Sequence, residues 1–221
     1  MLATLEAVGE TPSPRSDRSR RRLLLILALG VVASLGVIAG VLVAVSGSDA
    51  PDFVGSSPPA RLVAPAFSLE DESGTTLTRE DIGGRVMLLT FLSTNCRAQC
   101  PPTASTIRVA MEGMTAEERT QIAVVAISID PEFDNAAAAV TFLDERRLTG
   151  MMSYLIGTVE ELQPVWDDYA VLSSVDSGSS DNHSVPVRIF DGDGVWVASL
   201  RNGDDLNPEN LMHDLREALP N

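Results

Sequence analysis

Val86-Met87-Leu88-Leu89-Thr90-Phe91-Leu92-Ser93-Thr94-Asn95-Cys96-Arg97-Ala98-Gln99-Cys100-Pro101 is the stretch from which the rest of the chain can be read. Its first seven residues are apolar except for Thr90, too short a run for a bundle helix and without the alternation of a half-exposed strand. Val86 to Leu92 therefore reads as a strand buried on both faces, as in a parallel sheet. Pro101 suits the first turn of a helix, where its missing N–H costs nothing, and Ser105 to Met114 continues that helix. The two cysteines fall in the turn between strand and helix.

Working outward, Ile122 to Ile129 (IAVVAISI) is a second apolar run, richer in β-branched residues, and reads as a second buried parallel strand. Asn135 to Arg147 is an Ala-rich helix and Ser153 to Ile156 a short strand. Thr158-Val159-Glu160-Glu161 has capping-box spacing before another helix, in which Pro164 predicts a bend or a late start. Ser173 to Asn182 is polar and reads as a loop. Val187 to Phe190, the turn Asp191-Gly192-Asp193-Gly194 and Val195 to Ser199 make an antiparallel hairpin, and Asn207 and Pro208 cap a closing helix. The order βαβαβα then ββα predicts an α/β fold, a mixed sheet with helices on both faces and thioredoxin-like topology.

The 221 residues hold two cysteines and two histidines, too few thiols for a zinc ribbon, an iron-sulfur cluster or a disulfide scaffold. The formal charge is −15, and all 16 bases are Arg. Such a surface argues against nucleic acid as a partner, and 5% aromatic residues argue against stacking platforms for sugars or bases.

Leu23 to Val45 runs without a charge, long enough at about 1.5 Å per residue to cross a bilayer core as a helix. Arg15, Arg18, Arg20, Arg21 and Arg22 precede it and no Arg lies in Ser46 to Ala60, which places residues 1–22 in the cytoplasm and the bulk of the chain outside. The competing reading is a cleaved export signal of twin-arginine type at Ser19 to Leu23. Gly36 and Gly40 have the spacing of a helix-dimerisation face, although Gly is common in such spans. The expected organisation is a basic tail (1–22), a transmembrane helix (23–45), a flexible Ser/Gly/Pro-rich linker (46–60) and an extracytoplasmic domain (61–221). Removing the tail's five Arg and its Glu6, Glu10 and Asp17 leaves 28 acids against 11 Arg outside, or −17.

The chemistry concentrates at Cys96 and Cys100. A strand end that passes into a helix is where ligands bind in parallel α/β sheets, and a helix N-terminus favours the thiolate. Three uses of the pair compete. A structural disulfide closing so short a loop gains only about 2 kcal/mol. A dithiol redox couple would use Cys96 as the more exposed attacking thiolate and Cys100 as the resolving thiol. A soft-metal site would bind copper through two thiolates and an imidazole, for which His183, at the edge of the strand beginning near Val187, is the candidate. His213 points away from the apolar face formed by Leu211, Leu215 and Leu219, and reads as solvent-exposed.

Pro65-Ala66-Phe67-Ser68-Leu69, Asp71, Gly74, Cys96-x-x-x-Cys100-Pro101, Ser128-Ile129-Asp130-Pro131-Glu132, His183-Ser184 and Asp193-Gly194 together resemble the Sco/SenC family, over essentially all of residues 61–220. The resemblance implies a membrane-anchored, thioredoxin-like metallochaperone rather than an enzyme. Copper, as Cu(I) or Cu(II), would be bound by Cys96, Cys100 and His183 and serve the binuclear copper centre of cytochrome c oxidase. The implied partner is the copper-bearing oxidase subunit or another thiol or copper protein. The alternative is an extracytoplasmic thiol-disulfide oxidoreductase. A peroxidase on the same fold lacks its expected Thr, since Ser93 stands three residues before Cys96.

Two departures bear on the metal. Asn182 stands where the family commonly has Asp before its histidine, and Arg97 where it often has Pro. Asp130 reads equally as a turn residue and as a support for the metal ligands. Asp191, Asp193, Asp204 and Asp205 read as turn residues, and Met111 and Met114, beside Ile107, as core. The Val185–Pro186 bond, opposite the cysteines, is a candidate for the cis form, against a trans default.

Overall fold

The computed structural model describes residues 52–181 and 186–220, together with Leu27 and Gly30, which are helical. The basic tail, the rest of the expected membrane span with Gly36 and Gly40, Asn182, His183 and the Val185–Pro186 bond lie outside the described residues. Among the described residues no helix is long and apolar enough to cross a membrane.

Pro51–Asn221 forms one compact unit. Its chain opens with a hairpin, β1 (Ser68–Glu70) and β2 (Thr76–Thr78), before β3 (Val86–Leu92). Next come α1 (Cys100–Glu112), α2 (Ala116–Thr120), β4 (Ile122–Ser128), α3 (Ala136–Glu145), β5 (Ser153–Leu155) and α4 (Val159–Asp168). A short α5 (Ser174–Ser177), the hairpin β6 (Val187–Phe190) and β7 (Trp196–Leu200), and α6 (Pro208–Ala218) complete it.

The main sheet runs in the order β5-β4-β3-β6-β7, with β3, β4 and β5 parallel and β6 and β7 antiparallel. The two apolar runs are its centre, and all seven residues of each are buried. The strand period of two explains why they need to be apolar throughout. Val86, Leu88 and Leu92 join one core with Ile107 of α1, Phe142 of α3 and Leu215 of α6. Met87, Leu89 and Phe91 join another with Leu69 of β1 and Leu162 and Trp166 of α4.

The caps of the fourth and last helices fall where the sequence places them, while Asn135, read as the first residue of the Ala-rich helix, is its cap. Asn135 and Asn207 accept from the N–H groups of Ala138 and Asn210, and Thr158 and Glu161 form both halves of a capping box. That box starts α4 at Val159, so Pro164 causes no late start. The missing N–H of Pro164 removes the helical bond to the carbonyl of Glu160, which is an exposed residue. The stretch expected to be a loop over 173–182 contains the single turn α5, because Ser173 caps it and Gly178, at φ 72°, ends it in the left-handed region.

The linker expected to be flexible over 46–60 is bound from Val54 onward. The Val54 and Gly55 N–H groups each donate to Asp214 at 2.8 Å, and Ser56 exchanges two 2.9 Å backbone bonds with Ser199 of β7. Asp214 is fully buried in α6, so these donors stabilise a charge that the core would otherwise strand. A β-carbon on Gly55 would meet the Ser199 carbonyl oxygen at 2.8 Å and Asp214 Oδ2 at 2.9 Å. Gly55→Ala is therefore expected to destabilise the domain by about 2 kcal/mol. Urea denaturation measures this, and an unchanged midpoint would show the clamp to be dispensable.

Candidate metal centre at the strand end

The parallel register sets Leu92 opposite Ser128, so β3 and β4 end at one level. Beyond β3 the chain makes the turn Ser93 to Gln99 and enters α1 at Cys100. Helix α1 has an unusual N-terminus. Pro101 and Pro102 carry no N–H, Gln99 makes no side-chain cap bond, and the Thr103 N–H already donates to the Gln99 carbonyl at 3.2 Å. The remaining first-turn donor, the Cys100 N–H, points at Cys96 Sγ at 3.1 Å. The Cys96 sulfur thus takes the place of a helix cap, with a donor aimed where negative charge would form.

Both cysteines are buried, with exposures of 2% for Cys96 and 0% for Cys100. Exposure therefore does not single out Cys96 as the attacking sulfur, as the redox reading expects, because both pack into the core beside α1. The Cys100 thiol is pushed far above its ordinary range, first by its hydrogen bond with Cys96, then by burial, with smaller contributions from the charges of Cys96 and Asp134.

Two buried carboxylates hold the turn to the sheet. Asp134 accepts from Thr94 N–H (2.8 Å), Thr94 Oγ1 (2.6 Å), Ser128 Oγ (2.6 Å) and Tyr154 Oη (3.0 Å). Burial raises its pKa, and the donors from Ser128, Thr94 and Tyr154 pull it back. The folded chain therefore holds this proton more tightly than the unfolded chain does. The Asp134 charge opposes folding most at neutral pH, and the penalty falls as pH drops toward the raised pKa. Asp130 accepts from Ser93 Oγ at 3.1 Å and Ser180 Oγ at 2.5 Å. It closes the turn before α3, as a turn residue does, and also bonds Ser93, three residues before Cys96.

On the outer side, Asn95 Nδ2 donates to Ser180 Oγ at 3.1 Å, and the Arg97 and Ala98 N–H groups donate to Asp181 Oδ1 at 2.8 and 3.2 Å. Asp134, Ser180 and Asp181 escaped sequence reasoning. Asp134 carried one signal, its place four residues after Asp130; Asp181 had only its place two residues before His183.

The other expectations resolve simply. His213 is exposed, with Nδ1 3.1 Å from Asp214 Oδ1. Met111 and Met114 are buried in the core. Asp191 accepts from the N–H groups of Asp193 and Val195, and Asp205 from that of Arg201, as turn residues do. The structure brings Cys96 and Cys100 together, and His183 lies outside the described residues. Among the described residues no three His, Cys, Asp or Glu side chains form a metal-holding group.

A model of the SCO1/SenC family matches residues 55–220. The chain belongs to the SCO1/SenC family. A Stutzerimonas stutzeri protein whose name describes copper binding is 33% identical over 105 residues, which are 48% of this chain and 50% of that protein. The chain thus spans about half the length of that relative. ScoI of Bradyrhizobium japonicum, solved with copper bound, is 23% identical, with a TM-score of 0.58 over 72% of this chain and 100% of its own. The thioredoxin domain of a Bacteroides vulgatus thiol-disulfide oxidoreductase is 15% identical, with a TM-score of 0.54 over 72% of this chain and 98% of its own. At these identities the likeness is one of fold, and the SCO1/SenC chain is thioredoxin-like.

Asp134→Ala leaves four donors without their acceptor and is expected to cost about 3 kcal/mol. Chemical denaturation at neutral pH measures the loss; a wild-type midpoint would mean that these bonds do not hold the turn.

Proposed function

We propose that this SCO1/SenC chain is a membrane-tethered copper carrier that captures copper outside the cytoplasm and passes it to the binuclear copper centre of cytochrome c oxidase. Cys96 and Cys100 supply two thiolates, and His183 supplies the third ligand. The observation that carries this reading is the pair of buried cysteines joined by the Cys100 N–H bond to Cys96 Sγ at the start of α1. Thiolates are the ligands that Cu(I) prefers, and an imidazole beside them suits Cu(II) as well. The copper-binding name of the Stutzerimonas relative and the copper in the Bradyrhizobium ScoI structure support it.

The chemistry follows from the protonation of the pair. Because the Cys100 thiol holds its proton tightly, copper enters as protons leave, with the metal charge replacing them against sulfur. Transfer is then ligand exchange: acceptor groups docked at the same rim replace the thiolates one at a time. In this reading Leu23 to Val45 is the anchor, and the acidic domain lies outside the membrane.

A second reading is favoured by the likeness to the oxidoreductase thioredoxin domain: Cys96 attacks a partner disulfide and Cys100 resolves the mixed disulfide. Burial of both sulfurs weighs against it, since attack requires access.

Anaerobic titration of the reduced chain is expected to show one Cu(I) bound, with an apparent affinity that rises with pH and is lost in Cys96→Ala or Cys100→Ala. The Cu(II) form is expected to show a thiolate charge-transfer band that His183→Ala removes. Absence of Cu(I) binding sinks the copper reading; an intact band in His183→Ala removes His183 from the ligand set. Turnover of a mixed disulfide that needs both cysteines and ignores His183 would instead establish the oxidoreductase.

A further inference from the structure

We propose that Asp181 is a positioning residue for the thiol pair, its carboxylate holding the turn between the cysteines through the Arg97 and Ala98 N–H groups. The proposal rests on the copper-capture reading of Cys96 and Cys100.

The turn is restrained nearly residue by residue. On the sheet side Ser93 is bonded to Asp130 and Thr94 to Asp134, both carboxylates buried. On the outer side Asn95 is bonded to Ser180, and Arg97 and Ala98 to Asp181. Asp181 comes to Arg97 from 84 positions along the chain, so the bond records the tertiary fold and not a local turn habit. The two N–H groups lie just ahead of α1, at its positive end, where Gln99 offers no side-chain cap. One carboxylate oxygen facing two N–H groups there is a charge-assisted contact.

The consequence falls on the sulfurs. Cys96 is next to Arg97, and its sulfur meets the Cys100 N–H only while the turn keeps its shape. Two thiolates bind one soft cation strongly when they converge before it arrives, because ordering them afterwards costs free energy. The Asp181 bonds are exposed, and surface substitutions of this kind change stability little. Asp181 therefore acts on the thiols more than on folding. Asn in its place presents a carbonyl oxygen of the same shape, whereas Ala presents none.

The test compares the purified full chain with its Asp181→Ala and Asp181→Asn variants, using two probes. In the first, Cu(I) is competed with bathocuproine disulfonate. In the second, the Cys96–Cys100 dithiol/disulfide equilibrium is set against glutathione without copper. Asp181→Ala is expected to weaken Cu(I) binding about 10-fold and to move the glutathione equilibrium toward the dithiol, with a thermal midpoint close to that of wild type. Asp181→Asn, which keeps the acceptor oxygen and loses its charge, is expected to lie closer to wild type than Asp181→Ala in both. An Asp181→Ala chain that equals wild type with either probe overturns the proposal, as does an Asp181→Asn chain as impaired as Asp181→Ala. A wild-type chain that binds no Cu(I) overturns the copper reading instead, and the glutathione equilibrium then still decides the role of Asp181.

Discussion

The seven paired residues of β3 and β4, from Val86 opposite Ile122 to Leu92 opposite Ser128, fix the level at which two turns leave the sheet. One turn carries Cys96, and the other carries Asp130 and Asp134. Because the strands are parallel, both turns emerge at their carboxyl ends, side by side. A slip of one residue would turn each strand's side chains to the opposite face and separate Thr94 from Asp134. The register in turn depends on two apolar faces, each covered by helices, which is why polar substitutions within β3 or β4 have nowhere to go.

That geometry gives the site a graded construction. The sulfurs lie in the core, where solvation of a thiolate is poor, and the Cys100 thiol holds its proton. Around them, buried carboxylates bind hydroxyl and N–H donors of the cysteine turn, and no described residue forms a salt bridge with Asp130 or Asp134. The charge of Asp134 thus adds to the Cys96 hydrogen bond and the burial that push the Cys100 thiol up.

Much of the fold is legible in the residues because local chemistry and tertiary fold agree. The Asn207 cap, the Thr158 box and the Asp191 turn each satisfy their own backbone groups within a few residues, and the β3 run shows itself by being apolar at nearly every position, so short windows suffice to find them. The misreadings share a cause. Nothing in Gly55 or Ser56 announces the edge of β7, since the partners Ser199 and Asp214 are more than 140 positions away. Composition alone makes that stretch look like a tether. Likewise the polar run after Ser173 hides a helical turn whose cap is a single serine.

The sequence by itself determined the alternation of strands and helices, the placing of two cysteines at a strand-to-helix turn, and the family. These depend on periodicity and spacing along the chain, which burial by tertiary packing preserves. Only the tertiary structure decided that both thiols are buried, that the Cys96 sulfur caps α1, and that Asp130, Asp134, Ser180 and Asp181 converge on one turn. Such contacts join positions up to 85 residues apart, and a lone Asp or Ser has the same local preferences whether it braces a buried turn or merely faces water.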